Sequence, residues 1–144
     1  MTAPAGRFYL VRHAKAERQG AAPDDARRLT DEGRLAFGAR LRALAPRLAV
    51  RRVVTSPFAR ARETAELLAL ATGAAVEEEE ALASGASTGR QLLALGRALG
   101  AGCALVGHNP ELAEAIALAG GGDVEVPPGT VAAIEADGTL AWVE

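Results

Sequence analysis

Phe8-Tyr9-Leu10-Val11-Arg12-His13 is the stretch on which the fold turns: four consecutive apolar residues, strand length, running into an arginine and a histidine. A short unbroken apolar run closed by polar residues is the pattern of a strand buried on both faces. Two later stretches repeat the plan. Val53-Val54-Thr55 runs into Ser56-Pro57, and Cys103-Ala104-Leu105-Val106 runs into Gly107-His108-Asn109-Pro110. Helical signals lie between them. Thr30 offers an N-cap with Asp31 and Glu32 in the first turn, and Phe37, Leu41, Leu44 and Leu48 recur on one helical face. Ser56-Pro57 and Asn109-Pro110 each read as an N-cap followed by proline at the first helical position, where the missing N–H costs nothing. Ala61, Ala65, Leu68 and Thr72 then face inward up to Gly73, and Leu112, Ile116 and Ala119 do so up to Gly120-Gly121-Gly122. Leu92, Leu95 and Leu99 mark a third helix, stopped by Gly100 and Gly102. A weaker strand near Ala75-Val76 trails into four glutamates, and residues 130–136 and 140–143 flank Asp137-Gly138, a hairpin signal. Strands alternating with helices define an α/β class. The expected form is a three-layer α/β/α sandwich with a mostly parallel central sheet and a C-terminal hairpin. Without a repeat or a linker, residues 1–144 read as one domain.

Composition narrows the function. At 144 residues, with 49% hydrophobic and 24% charged residues, the chain is ordinary globular protein. Lys+Arg 16 against Asp+Glu 18 leaves no basic field, so no nucleic-acid partner is expected. One cysteine excludes an internal disulfide framework and a Cys-based zinc site, and two histidines without a neighbouring carboxylate cluster give no reason to expect a metal or a cofactor. No apolar run reaches the roughly 18 residues that span a bilayer. Residues 1–7 read without a signal-peptide apolar segment, and a cytoplasmic protein is expected.

The chemistry gathers at the strand ends. If the three strands are parallel, Arg12-His13, Ser56 and Gly107-His108 all emerge on one edge of the sheet, where open α/β sheets bind ligands. Two of those ends lead into helix N-termini, and Arg60 falls near the first turn of one of them. Two histidines, Arg12, Arg60 and two positive helix ends at one place suit a phosphate group. Each element also has a plainer reading: a lone His or Arg at a strand end is often structural, and both proline signatures are explained as helix starts. The coincidence of both histidines on one predicted edge favours function.

Arg12-His13-Ala14-Lys15-Ala16, Ser56-Pro57-Phe58-Ala59-Arg60-Ala61-Arg62-Glu63-Thr64-Ala65 and Val106-Gly107-His108-Asn109-Pro110 resemble, in this order, the three signature segments of the histidine phosphatase superfamily. Their spacing in a short chain resembles its SixA-type phosphohistidine phosphatases. Arg27-Arg28-Leu29-Thr30-Asp31-Glu32-Gly33 is similar to the family's R-P-L-T-x-x-G, with Arg28 at the usual proline. The likeness extends from Phe8 to Val143 and implies a phosphoglycerate mutase-like fold. It also implies that His13 is a nucleophile that takes the phosphoryl group, that Arg12, Arg60 and His108 hold its oxygens, and that water releases inorganic phosphate without a metal.

The resemblance implies a general acid, usually Glu, between the second and third segments in many members of the wider superfamily. Here Glu77, Glu78, Glu79 and Glu80 precede Ala81, which aligns near the expected position; Glu79 and Glu80 are the candidates, although four adjacent glutamates are ordinarily a solvated face. A site without an acid favours phosphohistidine, because an imidazole departs more readily than an alkoxide. Three readings follow: a phosphatase for phosphohistidine on a phosphorelay or phosphotransfer protein, a phosphomonoesterase for small sugar or nucleotide phosphates using Glu79 or Glu80, and a non-catalytic phosphate-binding module. Cys103 reads as a small buried strand residue, Gly120-Gly121-Gly122 as a helix stop, and Pro127-Pro128-Gly129 as a turn.

Overall fold

The computed structural model describes residues 6–20 and 22–144. Most of the segment read for an apolar leader, residues 1–5, lies outside these, as does Ala21 of the polar loop. The chain alternates β1 (Phe8–Arg12), α1 (Asp31–Leu44), β2 (Arg52–Thr55), α2 (Ala59–Thr72), β3 (Ala75–Glu78), α3 (Gly89–Leu99), β4 (Cys103–Gly107) and α4 (Glu111–Ile116), and closes with β5 (Val131–Ile134) and β6 (Leu140–Val143). These six strands form one sheet in the order β3-β2-β4-β1-β5-β6. β1 to β4 are mutually parallel where they pair; β5 pairs antiparallel with β1, and β6 pairs antiparallel with β5.

Period-2 alternation along the inner strands builds a core on both faces, while the edge strand β3 stays exposed. Tyr9, Val11, Val53, Ala104 and Val106 meet Phe37, Leu41, Ala61, Ala65 and Leu68 of α1 and α2. On the opposite face Phe8, Leu10, Val54, Cys103 and Leu105 meet Leu92, Leu112 and Ile116 of α3 and α4. The result is the expected α/β/α sandwich. At Gly96, a Cβ would stand 2.2 Å from the Phe8 ring, so glycine is what lets α3 lie this close to β1.

Three helix boundaries differ from the sequence reading. α1 ends at Leu44 and gives way to a tight turn over Ala45–Arg47, because Pro46 has no N–H to continue the ladder. Leu48 therefore lies beyond the helix, half-buried against the same core. α2 begins at Ala59, not Pro57. The Ser56 hydroxyl accepts the Phe58 N–H at 3.1 Å, which commits Ser56 and Pro57 to a turn, and the Phe58 carbonyl takes the first helical N–H groups. α4 begins at Glu111 with Pro110 in the cap position, while the Asn109 side chain accepts the Ala113 N–H at 3.2 Å. A wider π turn over Ala117–Gly121 ends it at the three glycines.

One register positions the site. Val106 of β4 lies opposite Val11 of β1 on one side and Thr55 of β2 on the other. Arg12-His13, Ser56 and Gly107-His108 consequently leave the sheet side by side, at its carboxyl edge.

Candidate active site

A cleft of about 360 Å³ opens at that edge, with Arg12, His13, Arg60 and His108 among its lining residues. A larger hollow, about 590 Å³, lies at the opposite edge beside Arg7, Val50, Arg51 and Gly102 and contains neither histidine. The ionisable groups concentrate in the smaller cleft.

His13 is fixed by its backbone. Its N–H donates to the Gly107 carbonyl at 3.1 Å and its carbonyl accepts the Gly129 N–H at 3.0 Å. The Thr64 hydroxyl accepts the next N–H, that of Ala14, at 2.9 Å and donates to the Arg60 carbonyl at 2.8 Å, tying β1 to α2. Gly33 permits the approach of the following segment, since a Cβ there would lie 2.2 Å from the Lys15 carbonyl oxygen. The His13 ring places Nδ1 2.7 Å from the Ala14 carbonyl oxygen. A carbonyl only accepts, so Nδ1 carries the proton and the lone pair of the neutral ring sits on Nε2.

His108 takes the same tautomer, but with the other nitrogen engaged by the protein. Its Nε2 lies 2.8 Å from the Ser56 hydroxyl oxygen, which already accepts from Phe58. Nε2 is the acceptor within reach of the hydroxyl hydrogen, which assigns the His108 proton to Nδ1. The two rings stand 5.3 Å apart, tilted 55°, and the Phe58 ring meets His108 edge-on at 5.0 Å. One histidine thus offers a lone pair and the other an N–H.

The arginines complete the set. Arg12 donates from Nη1 to the Val126 carbonyl at 2.9 Å. Arg60 donates from Nη1 to the Asp24 carbonyl at 2.7 Å, contacts the Asp24 carboxylate at 3.3 Å, and lies over Phe58. Four buried side-chain polar atoms have no hydrogen-bond partner within the described protein, and three of them are Arg12 Nε, Arg60 Nε and His108 Nδ1. Leaving such groups unpaired costs about 1–3 kcal/mol each, more when charged. The fourth is Glu111 Oε1, whose other oxygen accepts the Gly85 N–H at 2.8 Å.

Burial and mutual repulsion set the charges. Desolvation, with Arg60, Arg12 and Arg27 nearby, lowers the His13 pKa to about 4 despite the Ala14 hydrogen bond. Desolvation and Arg60 lower that of His108 to about 3. Both rings are neutral at pH 7. Arg12 is also lowered, by burial and by Arg60, yet arginine retains its proton there.

The structure brings together all four residues singled out at the strand ends. It does not bring in the glutamates: neither Glu79 nor Glu80 lines the cleft. Glu79 accepts the Ala81 N–H at 3.1 Å, and Glu80 opens the short turn Glu80–Leu82. From that region Ser84 reaches the cleft instead. Residues that periodicity passed over also line it, namely Lys15, Gln19, Asp24 and Arg27. Asp24 and Arg27 pair at 2.8 Å across three residues, a spacing legible in the sequence as an i,i+3 ion pair. Arg28 uses the N–H that a proline would lack, donating to Glu17 at 3.0 Å, and its guanidinium pairs with Glu63. No described helix is long and apolar enough to cross a membrane, and no group of His, Cys, Asp or Glu among the described residues forms a metal cluster.

A doubly covered, mostly parallel sheet with two histidines and two arginines lining a cleft at its carboxyl edge defines a class of α/β proteins suited to holding an anion. The model of the histidine phosphatase superfamily (branch 1) matches residues 8–90, and the chain belongs to that superfamily. Its fold is the phosphoglycerate mutase-like fold. Among solved structures, a SixA phosphohistidine phosphatase assignment from Nakamurella multipartitia is 30% identical with a TM-score of 0.75, covering 100% of this chain and 98% of that one. The corresponding assignment from Agrobacterium tumefaciens has a TM-score of 0.82 at 23% identity, covering 96% of this chain and 97% of that one. A protein histidine phosphatase SixA complexed with tungstate has a TM-score of 0.77 at 21% identity, covering 95% of each chain. No curated protein matches the chain.

Proposed function

We propose that this protein is a metal-independent phosphatase, formed by residues 1–144 as one domain, that hydrolyses phosphohistidine on a phosphorelay or phosphotransfer protein. One observation carries the reading. In the cleft that His13 lines, the buried polar atoms left without partners belong to Arg12, Arg60 and His108, the cations and donor that a phosphoryl group requires. Membership of the superfamily and the likeness to SixA structures support it.

In the first step His13 Nε2 attacks phosphorus along the line of the departing P–N bond. Its lone pair forms the new P–N bond, and the electron pair of the old bond returns to the substrate's ring nitrogen. When the substrate's other ring nitrogen carries a proton, that ring departs neutral. His13 becomes the phosphorylated, positively charged ring, with its Nδ1–H held by the Ala14 carbonyl. The exchange is symmetric and moves no proton, so it needs no general acid. Arg12, Arg60 and the Nδ1–H of His108 bind the oxygens over which the transition state spreads its charge. Water then attacks the phosphoryl group, the electron pair returns to His13 Nε2, and dihydrogen phosphate leaves.

The absence of Glu79 and Glu80 from the cleft's lining favours this substrate over sugar or nucleotide esters, whose alkoxide must be protonated. The test compares hydrolysis of a phosphohistidine-bearing protein and p-nitrophenyl phosphate in the presence of EDTA. Phosphohistidine is expected to be the far better substrate, and H13A to abolish turnover of both while retaining weak binding of vanadate. Efficient ester hydrolysis without phosphohistidine activity overturns the substrate reading. Near-normal rates in H13A overturn the covalent mechanism.

A further inference from the structure

Among the cleft's lining residues there is one carboxylate, Asp24, and the phosphoryl-transfer scheme above gives it no task. It opens the short turn Asp24–Ala26, and its side chain is 43% exposed. Oδ1 is occupied: it accepts from Arg27 Nε at 2.9 Å and Nη2 at 2.8 Å, and from Gln19 at 3.3 Å. Oδ2 has only the long 3.3 Å contact to Arg60. A carboxylate offers about four acceptor positions, so Oδ2 keeps capacity for another donor. Holding Arg60 does not depend on this side chain, because the Asp24 main-chain carbonyl already accepts from Arg60 at 2.7 Å.

We infer that Asp24 is a specificity residue, whose carboxylate accepts a hydrogen bond from the ring N–H of the departing imidazole, on the nitrogen that does not carry phosphorus. The inference rests on the phosphohistidine reading above and supplies its missing half. Transfer between two imidazoles needs a proton on the distal nitrogen of each ring. On the enzyme's ring the Ala14 carbonyl holds that proton. On the substrate's ring the cleft is otherwise hostile to it, being lined by Arg12, Lys15, Arg27 and Arg60. Among the cleft's side chains, one anion faces these cations. A hydrogen bond to Asp24 keeps the substrate ring protonated, so the ring leaves neutral when its P–N bond breaks.

The same group works against phosphate esters. A departing alkoxide gains negative charge and must receive a proton. Arg27, through its hydrogen bonds, holds Asp24 below the usual carboxylate range, so it is ionised at neutral pH and has no proton to give. Its charge also repels the developing alkoxide. One residue therefore widens the gap between the two substrate classes in both directions.

The experiment measures kcat/KM of the full chain on free 3-phosphohistidine and on p-nitrophenyl phosphate from pH 5 to 9, for wild type, D24N and D24A. D24N preserves the side chain's shape and the main-chain contact to Arg60, and the turn is exposed, so the fold is retained; urea unfolding confirms it. The ratio of phosphohistidine to ester kcat/KM is expected to fall about tenfold or more in both variants. The alkaline limb of the phosphohistidine profile is expected to move down by about one pH unit, since the substrate ring then loses its proton earlier. Loss of both activities by one common factor, or an unchanged ratio, overturns the inference and makes Asp24 a mere brace for the arginines. A wild-type enzyme that hydrolyses the ester through His13 but not phosphohistidine overturns the substrate reading itself, a result separate from either.

Discussion

Lowering the pH from 7 to 5 is expected to destabilise this protein mainly through His108 and His13. In the unfolded chain each has a pKa near 6.5. In the folded protein burial and Arg60 take His108 to about 3, and burial with the neighbouring arginines takes His13 to about 4. At pH 7 both are largely neutral in both states, and neither affects folding. As pH falls below 6.5 the unfolded state binds protons that the native state refuses, so stability falls with falling pH. The loss continues until the folded pKa is reached. At about 1.4 kcal/mol per pH unit below 6.5, each histidine costs about 2 kcal/mol at pH 5. Together that is a large fraction of the roughly 5–15 kcal/mol that holds a typical domain together. Carboxylates held low by hydrogen bonds, Asp24 by Arg27 and Glu63 by the Leu29 N–H together with Arg28 and Arg34, add loss of the same sign at lower pH. The assay must therefore subtract them. Urea unfolding at pH 7 and pH 5 for wild type, H108Q and H13Q does this, because each variant keeps the carboxylates. Each single variant is expected to lose about 2 kcal/mol less than wild type between the two pH values, and the double variant about 4. If all four proteins lose stability in parallel, the histidines titrate normally in the native state. The electrostatic account of the cleft would then be wrong.

Other substitutions probe how the cleft is held. T64V removes the hydroxyl that accepts the Ala14 N–H and leaves that buried donor unpaired, which should cost about 1–3 kcal/mol in urea unfolding and lower kcat more than it raises KM. G33A would press a methyl group to 2.2 Å from the Lys15 carbonyl oxygen, so a loss of about 1–3 kcal/mol is expected; a neutral result in thermal unfolding would show that the Lys15 segment yields freely. Cys103 is buried and its thiol is pushed up to about 11, chiefly by desolvation, so a thiol reagent at pH 8 should label it only as fast as the protein unfolds.

The amino-acid sequence by itself determined the α/β layering, the parallel alignment of Phe8–Arg12 and Cys103–Gly107, and the meeting of Arg12, His13, Arg60 and His108. The physical reason is local and periodic: apolar runs of strand length bury on two faces, and a polar residue at the end of each must emerge where the strand stops. Thr30 as a cap and Asp137-Gly138 between the last strands were legible for the same reason, each being a short-range hydrogen-bonding or backbone preference. Helix starts were less legible. Ser56-Pro57 and Asn109-Pro110 carry the right residues, but the Ser56 hydroxyl is shared between Phe58 and His108, and the second of these lies 52 residues away. Tertiary structure alone decided which nitrogen of each histidine carries the proton, since the deciding partners are a carbonyl and a hydroxyl placed by packing. It also decided which carboxylate faces the cleft. Glu79 and Glu80 were prominent in the sequence and stand outside, whereas Asp24 came from a loop without periodicity. A loop's side chains are directed by what they bond to across the fold, here Arg27 and Arg60, and not by the spacing of their own neighbours.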